Sequence, residues 1–192
     1  MDVDLVNVGQ YKAAVKMGVC PRPPQTSDIS DSWKLGNNRR AQNNVNYFAA
    51  QAFLGWIGKR LPTEEEWEWA ARGREKGYIY PWGNDPPEQD SACWLRYFPE
   101  KDVCLGPDLV GVDRATSRDG VHDMAGCLWE WTSTVDPENS GLMILKGGAW
   151  YNDNPEKLKV TGRGRAIPYH NEVNVTDSEG LFRSQIMRSS KS

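Results

Sequence analysis

The sequence of 192 residues has few of the side chains that build metal or nucleophilic sites. It contains two histidines, His122 and His170, and four scattered cysteines, the last of which is Cys127. Zinc sites take their ligands from closely grouped His and Cys residues, so this distribution argues against a His/Cys metal cage. His122 lies in a Trp-rich stretch, where we expect a core or turn residue and not a catalytic base.

The chain also lacks a surplus of positive charge and a long apolar run. Its net charge is -3, without a block of Lys and Arg, which argues against nucleic acid as a partner. No apolar run is long enough to span a bilayer, and no secretory signal follows Met1, so we expect no membrane insertion. The length suits one domain over residues 1–192.

Large aromatic residues and turn-forming residues are abundant. Nine Trp, eighteen Gly and twelve Pro predict a core built on a few rings, joined by many turns. Cys93 and Cys104 are close enough in sequence to close a loop with a disulfide. Buried reduced cysteines are the alternative, and both stay open.

Capping residues predict the first two helices. One runs from Asn7 towards Gly18, and the other runs from Asn46 to Ile57. For the second helix we expect one apolar face, formed by Phe48, Ala52, Phe53 and Trp56.

A third helix follows Thr63, which forms a capping box with Glu66 three residues later. The sequence predicts that Trp67, Ala70 and Ala71 form its buried stripe. The acids Glu64 to Glu66 then serve as capping and solvated residues.

The stretch Gly120–Thr132 contains two Trp, with Glu130 between them. Alternation predicts a strand with Leu128 and Glu130 on one face and Trp129 and Trp131 on the other. Because a buried carboxylate needs donors, we expect backbone N–H groups to hold Glu130.

Two more strands are predicted towards the end of the sequence. Met143 to Lys146 forms one, and Gly147-Gly148 then allows a bulge or a close approach before Trp150. Gly180 to Ile186 has the pattern of a last strand.

Five motifs occur in the order of one known family: R-L-P-T-E-E-E-W-E-W-A-A-R-G, Y-P-W-G-N, G-V-H-D-M-A-G-C-L-W-E-W-T, L-K-G-G-A-W and G-L-F-R. They resemble the formylglycine-generating-enzyme (sulfatase-modifying factor) domain, a variant of the C-type lectin-like fold, over about Asn7 to Arg183. The resemblance implies an α+β fold with much irregular structure. It places the Trp-rich motif and the Gly-Gly-x-Trp strand in the central sheet, with the helices outside. The family's strand before the first helix is missing or cut to Asp2–Val6.

The chain departs from this family where the enzyme binds copper. The two copper-binding cysteines of the enzyme correspond to Lys157 and Gly162. Since no other side chain supplies a soft ligand there, we expect no copper, no cofactor and no formylglycine formation. The resemblance also implies calcium sites, but Cys127 replaces a usual Asn, which leaves Glu130 as a candidate ligand.

The segment after Trp150 resembles the variable proteins of diversity-generating retroelements. The invariant pattern of that group is matched at Trp150, Pro155, Leu158, Arg163, Arg165, Pro168, Gly180 and Arg183. In that group, adenine-directed mutagenesis diversifies the positions between, which implies a variable ligand-binding region over residues 150–183. Ten positions hold residue types reachable from Asn by this chemistry: Tyr151, Asn152, Asn154, Gly162, Gly164, Ala166, Ile167, Tyr169, His170 and Asn171. The expected structural frame is Trp129, Glu130, Trp131, Trp150, Arg163, Arg165 and Arg183.

This resemblance implies a non-enzymatic protein that presents the ten residues on one exposed face. The expected partner is an unknown protein or surface ligand. The location stays open, with display on a virion or cell surface as one option. One alternative is a sensor or interaction domain of the kinase-associated type, which the spacings Cys20–Pro24 and Cys93–Cys104 resemble. Another is a metal-dependent oxidase of the same fold. The segment 151–171 can also be an ordinary polar surface loop.

Overall fold

The computed structural model describes residues 1–24, 31–88, 90–94, 97–98, 103–104, 110, 115–169, 185–186 and 190–191. For residues 97–98, 103–104, 185–186 and 190–191 it describes the backbone only. Helix α1 spans Val8–Lys16, α2 spans Tyr47–Trp56 and α3 spans Glu64–Ala71. In the described ranges no helix is long and apolar enough to cross a membrane. Residues 1–6 contain no strand.

Side-chain caps fix the start of each helix, as the sequence predicts. Asn7 accepts from the backbone N–H of Gln10, and Asn46 accepts from that of Ala49. Thr63 and Glu66 form the predicted capping box at the start of α3. Each cap satisfies N–H groups that have no partner within the helix.

The predicted apolar face of α2 is wrong at three of its four positions. Phe48, Ala52 and Trp56 are exposed, and only Phe53 of the predicted face is buried. The helix instead buries a face that contains Tyr47, Ala49, Ala50, Phe53 and Leu54. Since Tyr47–Trp56 contains no charged residue, hydrophobic periodicity cannot distinguish its inner face from its outer face.

Among the residues that the structure describes, eight short strands follow or separate the helices. They are β1 (Lys59–Arg60), β2 (Tyr97–Phe98), β3 (Val103–Cys104), β4 (Trp129–Val135), β5 (Met143–Lys146), β6 (Gly164–Ala166), β7 (Gln185–Ile186) and β8 (Ser190–Lys191). A four-stranded sheet has the order β6-β5-β4-β7, with β7 parallel to β4 and the other neighbours antiparallel. Two-stranded sheets pair β1 with β8 and β2 with β3. The end of the Trp-rich motif forms the start of β4, and the Gly-Gly-x-Trp residues 147–150 follow directly after β5.

The centre of the protein lies around β4 and β5. Residues 128–132 and all of β5 are buried. Trp129 and Trp131 pack with Phe53 and Leu54 of α2, whereas Leu128 packs in a different cluster with Trp150. The predicted alternation of β4 is therefore confirmed, with both faces of the strand covered.

Candidate ligand-binding site

Two glycines carry the chain from β5 into the predicted variable region. Gly147 and Gly148 have φ values of 94° and 78°, which favour glycine. A Cβ on Gly148 would lie 2.9 Å from the carbonyl oxygen of Lys157. Two backbone hydrogen bonds hold residues 147–150 in place. One runs from Gly126 N to the Gly147 carbonyl (2.7 Å) and the other from Trp150 N to the Cys127 carbonyl (3.0 Å).

The aromatic residues predicted as a frame are all fully buried. Trp129, Trp131 and Trp150 have no exposed surface. The indole N–H of Trp131 donates to the Val45 carbonyl at 2.8 Å. These side chains therefore belong to the core beneath the segment.

Glu130 is also fully buried, and its Oε2 accepts from the indole N–H of Trp67 at 2.9 Å. In the described part of the chain, no group of three or more His, Cys, Asp or Glu residues could hold a metal ion. Glu130 thus ties α3 to β4 through the indole of Trp67, and its role as a calcium ligand stays a prediction.

A buried ionic network joins α3, β5 and the residue before β6. The Nζ of Lys146, which has no exposed surface, lies 2.7 Å from Oε1 of Glu68 and 3.5 Å from Oε1 of Glu64. Burial lowers the pKa of Lys146, and the carboxylates of Glu68 and Glu64 oppose this effect. Arg163 forms a two-point contact with Glu64, with 2.9 Å between Nη2 and Oε2. Hydrogen bonding to Glu64 raises the pKa of Arg163.

The solvated role predicted for Glu64 is wrong, because that side chain is buried inside this network. Glu64 and Lys146 are 82 positions apart, so no local pattern could have paired them. The available signal was Lys146 itself, a lone charge in an apolar strand, which needs a buried partner.

Arg165, the second arginine of the frame, connects β6 to the turn after β4. The Nε of Arg165 lies 2.7 Å from Oδ2 of the buried Asp136, and its Nη2 lies 3.0 Å from Oε2 of Glu138. Arg165 and Arg163 thus form ion pairs with acids of neighbouring elements, but their side chains are 34% and 45% exposed and do not point inward as the frame prediction required. Arg183 lies outside the described residues.

Three of the ten predicted ligand-binding residues are buried and a fourth, Gly162, is half-buried against backbone oxygens, which corrects the prediction for them. Asn152 is buried, and its Oδ1 accepts from Ala149 N at 2.7 Å. Ala166 is in the main core cluster. A Cβ on Gly164 would approach the Trp129 ring at 3.2 Å, and one on Gly162 would meet three carbonyl oxygens at 2.9 to 3.1 Å.

The reason for the error is the phase of the alternation along β6. We expected frame residues to point inward and their neighbours to point outward. Gly164 and Ala166 are buried, whereas Arg165 is half-buried and Ile167 is exposed. A strand does alternate here, but the side chain of Arg165 points away from the main core cluster and reaches the buried Asp136 and the exposed Glu138.

Two further positions are partly buried and have structural contacts. Asn154 accepts from Glu156 N at 2.9 Å and caps a 3-10 helix over Pro155–Leu158. Tyr151 packs edge-on against Trp150, with 5.3 Å between ring centroids. His170 and Asn171 lie outside the described residues.

The two remaining positions, Ile167 and Tyr169, are exposed to 37% and 73%, respectively. Tyr169 lies against Phe48 of α2, with 4.8 Å between ring centroids, and Phe48 is itself 43% exposed. We call Phe48, Ile167 and Tyr169 the aromatic patch. The sequence prediction missed Phe48 because it assigned that residue to the buried face of α2.

The aromatic patch is fixed to the core through Tyr47. The backbone N–H of Tyr47 donates to the Pro168 carbonyl at 3.3 Å. Its ring meets Phe48 and Trp131 edge-on, each at 5.6 Å between centroids. The patch is therefore a surface of large side chains on a rigid support.

The positions of the family's copper-binding cysteines bring no soft ligand to this region. Lys157 and Gly162 occupy them, and Cys127 lies buried beneath, in the cluster of Trp150. The structure describes Cys93 as buried, while the side chain of Cys104 is outside the description, so their pairing stays a prediction.

One protein-family model, described as the sulfatase-modifying factor enzyme 1-like domain, matches residues 3–175. The chain belongs to that family. This membership confirms the resemblance given by the five motifs and the α+β, C-type lectin-like fold that it implies.

Two relatives illustrate the range of this sulfatase-modifying factor family. The inactive C-alpha-formylglycine-generating enzyme 2 of Mus musculus is 39% identical over 112 residues, which cover 56% of this chain and 36% of that protein. The formylglycine-generating enzyme of Streptomyces coelicolor is 32% identical over 148 residues, which cover 65% of this chain and 47% of that protein. This member of the family thus spans less than half the length of either relative.

Among solved structures, Treponema denticola variable protein 1 is similar with a TM-score of 0.62 and 18% sequence identity. The match covers 85% of this chain and 77% of that chain. At this identity the likeness shows a shared fold.

Proposed function

We propose that this chain is a non-enzymatic binding protein that contacts a protein or surface ligand through the aromatic patch. The observation that carries the proposal is the exposure of Tyr169 and its ring contact with Phe48. Large aromatic side chains dominate the binding energy of protein surfaces, and exposed clusters of them mark interaction sites. The resemblance of residues 150–183 to variable proteins supports the same surface and a location on a virion or cell.

The structure narrows the diversified set within this proposal. Residues that pack in the core or crowd backbone oxygens cannot vary without cost. We therefore infer that diversification concerns Ile167 and Tyr169 among the described positions, with His170 and Asn171 continuing the series. Tyr is a favoured contact residue in adaptable binding surfaces because its large ring loses little conformational entropy.

The test recovers ligands from a cell-surface extract on immobilised protein and then measures the affinity of each purified ligand. The double substitution Phe48→Ala and Tyr169→Ala should weaken a true ligand by at least about tenfold, as expected for aromatic anchors. The matched control is Trp69→Ala on α3, since Trp69 is 50% exposed and lies outside the patch. Ligands that bind the patch variant as tightly as the unchanged protein would disprove the proposal.

The enzymatic alternative has its own test. A copper oxidase would bind Cu(I) stoichiometrically through thiolates and convert a sulfatase-type peptide. We expect neither result, because Lys157 and Gly162 stand at the cysteine positions and cannot supply soft ligands. Turnover of the peptide, together with copper binding that thiol alkylation abolishes, would establish the enzyme instead.

A further inference from the structure

Basic residues are concentrated on one side of this acidic protein, around helix α1 and Trp33. Residues 8–40 contain six Lys and Arg but only two acids, whereas the whole chain has a net charge of -3. One of the two acids, Asp31, is buried, and its Oδ1 accepts from the backbone N–H of Trp33 at 3.0 Å. The other, Asp28, lies outside the described residues.

The indole of Trp33 holds two of these cations near each other. The Nζ of Lys12 lies 5.3 Å from the ring centroid and the Cζ of Arg22 lies 5.6 Å from it. Both distances are typical of cation–π contacts. Trp33 packs against the main core cluster, so the ring is a fixed support for both charges. Lys12 also donates to Oδ1 of Asn38 at 3.1 Å.

Further cations surround this pair. Lys16 lies one turn beyond Lys12 on α1, so both share a helix face, and Lys34 follows Trp33 directly. We call Lys12, Lys16, Arg22, Trp33, Lys34 and Leu35 the cationic surface. Among the described residues, no ion pair involves any of its four cations.

Some cations elsewhere in the described chain are paired with carboxylates. Lys59 lies 2.6 Å from a carboxylate oxygen of Asp2, and Arg60 lies 2.7 Å from one of Glu66. At those two places an exposed charge is neutralised within the protein, whereas the cations of the cationic surface form no ion pair with a described carboxylate.

We propose that the cationic surface docks an acidic segment of a partner protein, one that carries an apolar residue among its carboxylates. Complementary charge steers such association and sets its specificity. Leu35 is 45% exposed beside Lys34, and gives an apolar side chain of the partner a place to pack. A nucleic acid fits less well, because the net negative charge of the chain repels a long polyanion. The cationic surface shares no residue with the aromatic patch, so the inference stands whether or not the proposed function holds.

The test uses a short fluorescein-labelled peptide of Asp and Glu with interspersed Leu, titrated with the protein and followed by fluorescence anisotropy. Charge reversal by Lys16→Glu with Lys34→Glu should weaken binding by at least about tenfold. The control, Lys76→Glu with Arg118→Glu, changes net charge equally but elsewhere, and should alter affinity less than about twofold. Circular dichroism checks that both variants are folded, since all four side chains are exposed.

Raising the salt concentration should also weaken binding, because solvent-exposed charges are screened. A second variant, Lys12→Gln with Arg22→Gln, removes the pair held by Trp33 and should weaken binding as well. Equal weakening by the reversal and its control, absence of binding at low salt, or equal binding of the Asn/Gln version of the peptide would overturn the proposal. Tighter binding of a single-stranded DNA of equal charge would also overturn it, in favour of nucleic acid.

Discussion

The buried and the exposed positions of the segment from Trp150 to Tyr169 hold similar residue types but differ in their role: the buried ones pack in the protein and the exposed ones are available to a ligand. Asn152, Gly164 and Ala166 are buried beneath the surface, whereas Ile167 and Tyr169 face solvent. All five are residue types that the same mutational chemistry could produce. The difference shows that the range of residues a position tolerates depends on burial and backbone crowding, which codon chemistry does not reveal.

The largest loss of stability, which tests the contrast between buried and exposed positions, is expected on replacing Trp150. Replacing this fully buried ring by Trp150→Ala should lower the free energy of unfolding by about 3 kcal/mol or more, because a cavity remains. Urea denaturation measures the change. The control Trp69→Ala removes a half-exposed ring and should have a much smaller effect. Similar losses in both variants would break the comparison.

A matched pair of substitutions tests the two parts of the segment directly. Ala166→Asn puts a polar side chain into the core and should cost about 2 kcal/mol or more. Tyr169→Asn changes an exposed residue and should stay within about 0.5 kcal/mol. Thermal or urea unfolding of the two variants decides the matter. If the core variant were as stable as the surface variant, position 166 would belong to the diversified set after all.

The capping box of α3 offers a control region without a ligand-binding role. Thr63→Ala removes the acceptor for Glu66 N, 3.2 Å away, and should cost about 1 kcal/mol of stability. Binding through the aromatic patch should be unchanged once the variant is folded. A variant that unfolds like the unchanged protein but no longer binds would contradict the structural role.

A small loss of folding stability is expected at acid pH. Hydrogen bonds from Arg60, at 2.7 and 2.8 Å, lower the pKa of Glu66 to about 2. Because the folded pKa lies below the unfolded one, this contribution is present above about pH 4.5 and is lost as the pH falls towards about 2. For so exposed a pair we expect less than about 1 kcal/mol. Unfolding curves across that range should fall less steeply for Glu66→Gln, and parallel curves would exclude the effect.

Local signals predicted the three helices and the strands β4 and β5, but not β1, β2, β3, β6 or β8. The caps at Asn7, Asn46 and Thr63 determine helix starts through contacts within three residues, and the strand Met143–Lys146 was predicted with its bounds. The family motifs then supplied the arrangement of the sheet. Short-range chemistry is visible in a sequence because its partners are neighbours.

The candidate site was predicted only in part, because its geometry depends on distant contacts. The contact between Phe48 and Tyr169 joins α2 to the segment after β6, and the pairing of Glu64 with Lys146 joins α3 to β5. The sequence of the uncharged helix α2 does not reveal which of its faces is buried, and the same is true of the three-residue strand β6. Only packing against the remainder of the chain chooses between them.

The pairing of strands has a consequence for how the chain is made. Strand β1 pairs Arg60 with Ser190, and β7 pairs Ile186 with Glu130. During synthesis, the early helices therefore emerge from the ribosome well before the strands that complete both sheets. Contacts so distant in sequence slow folding, because a long loop must close before they form. The aromatic side chains of the core thus remain accessible to solvent during translation, and we expect chaperone dependence to be greatest at that stage.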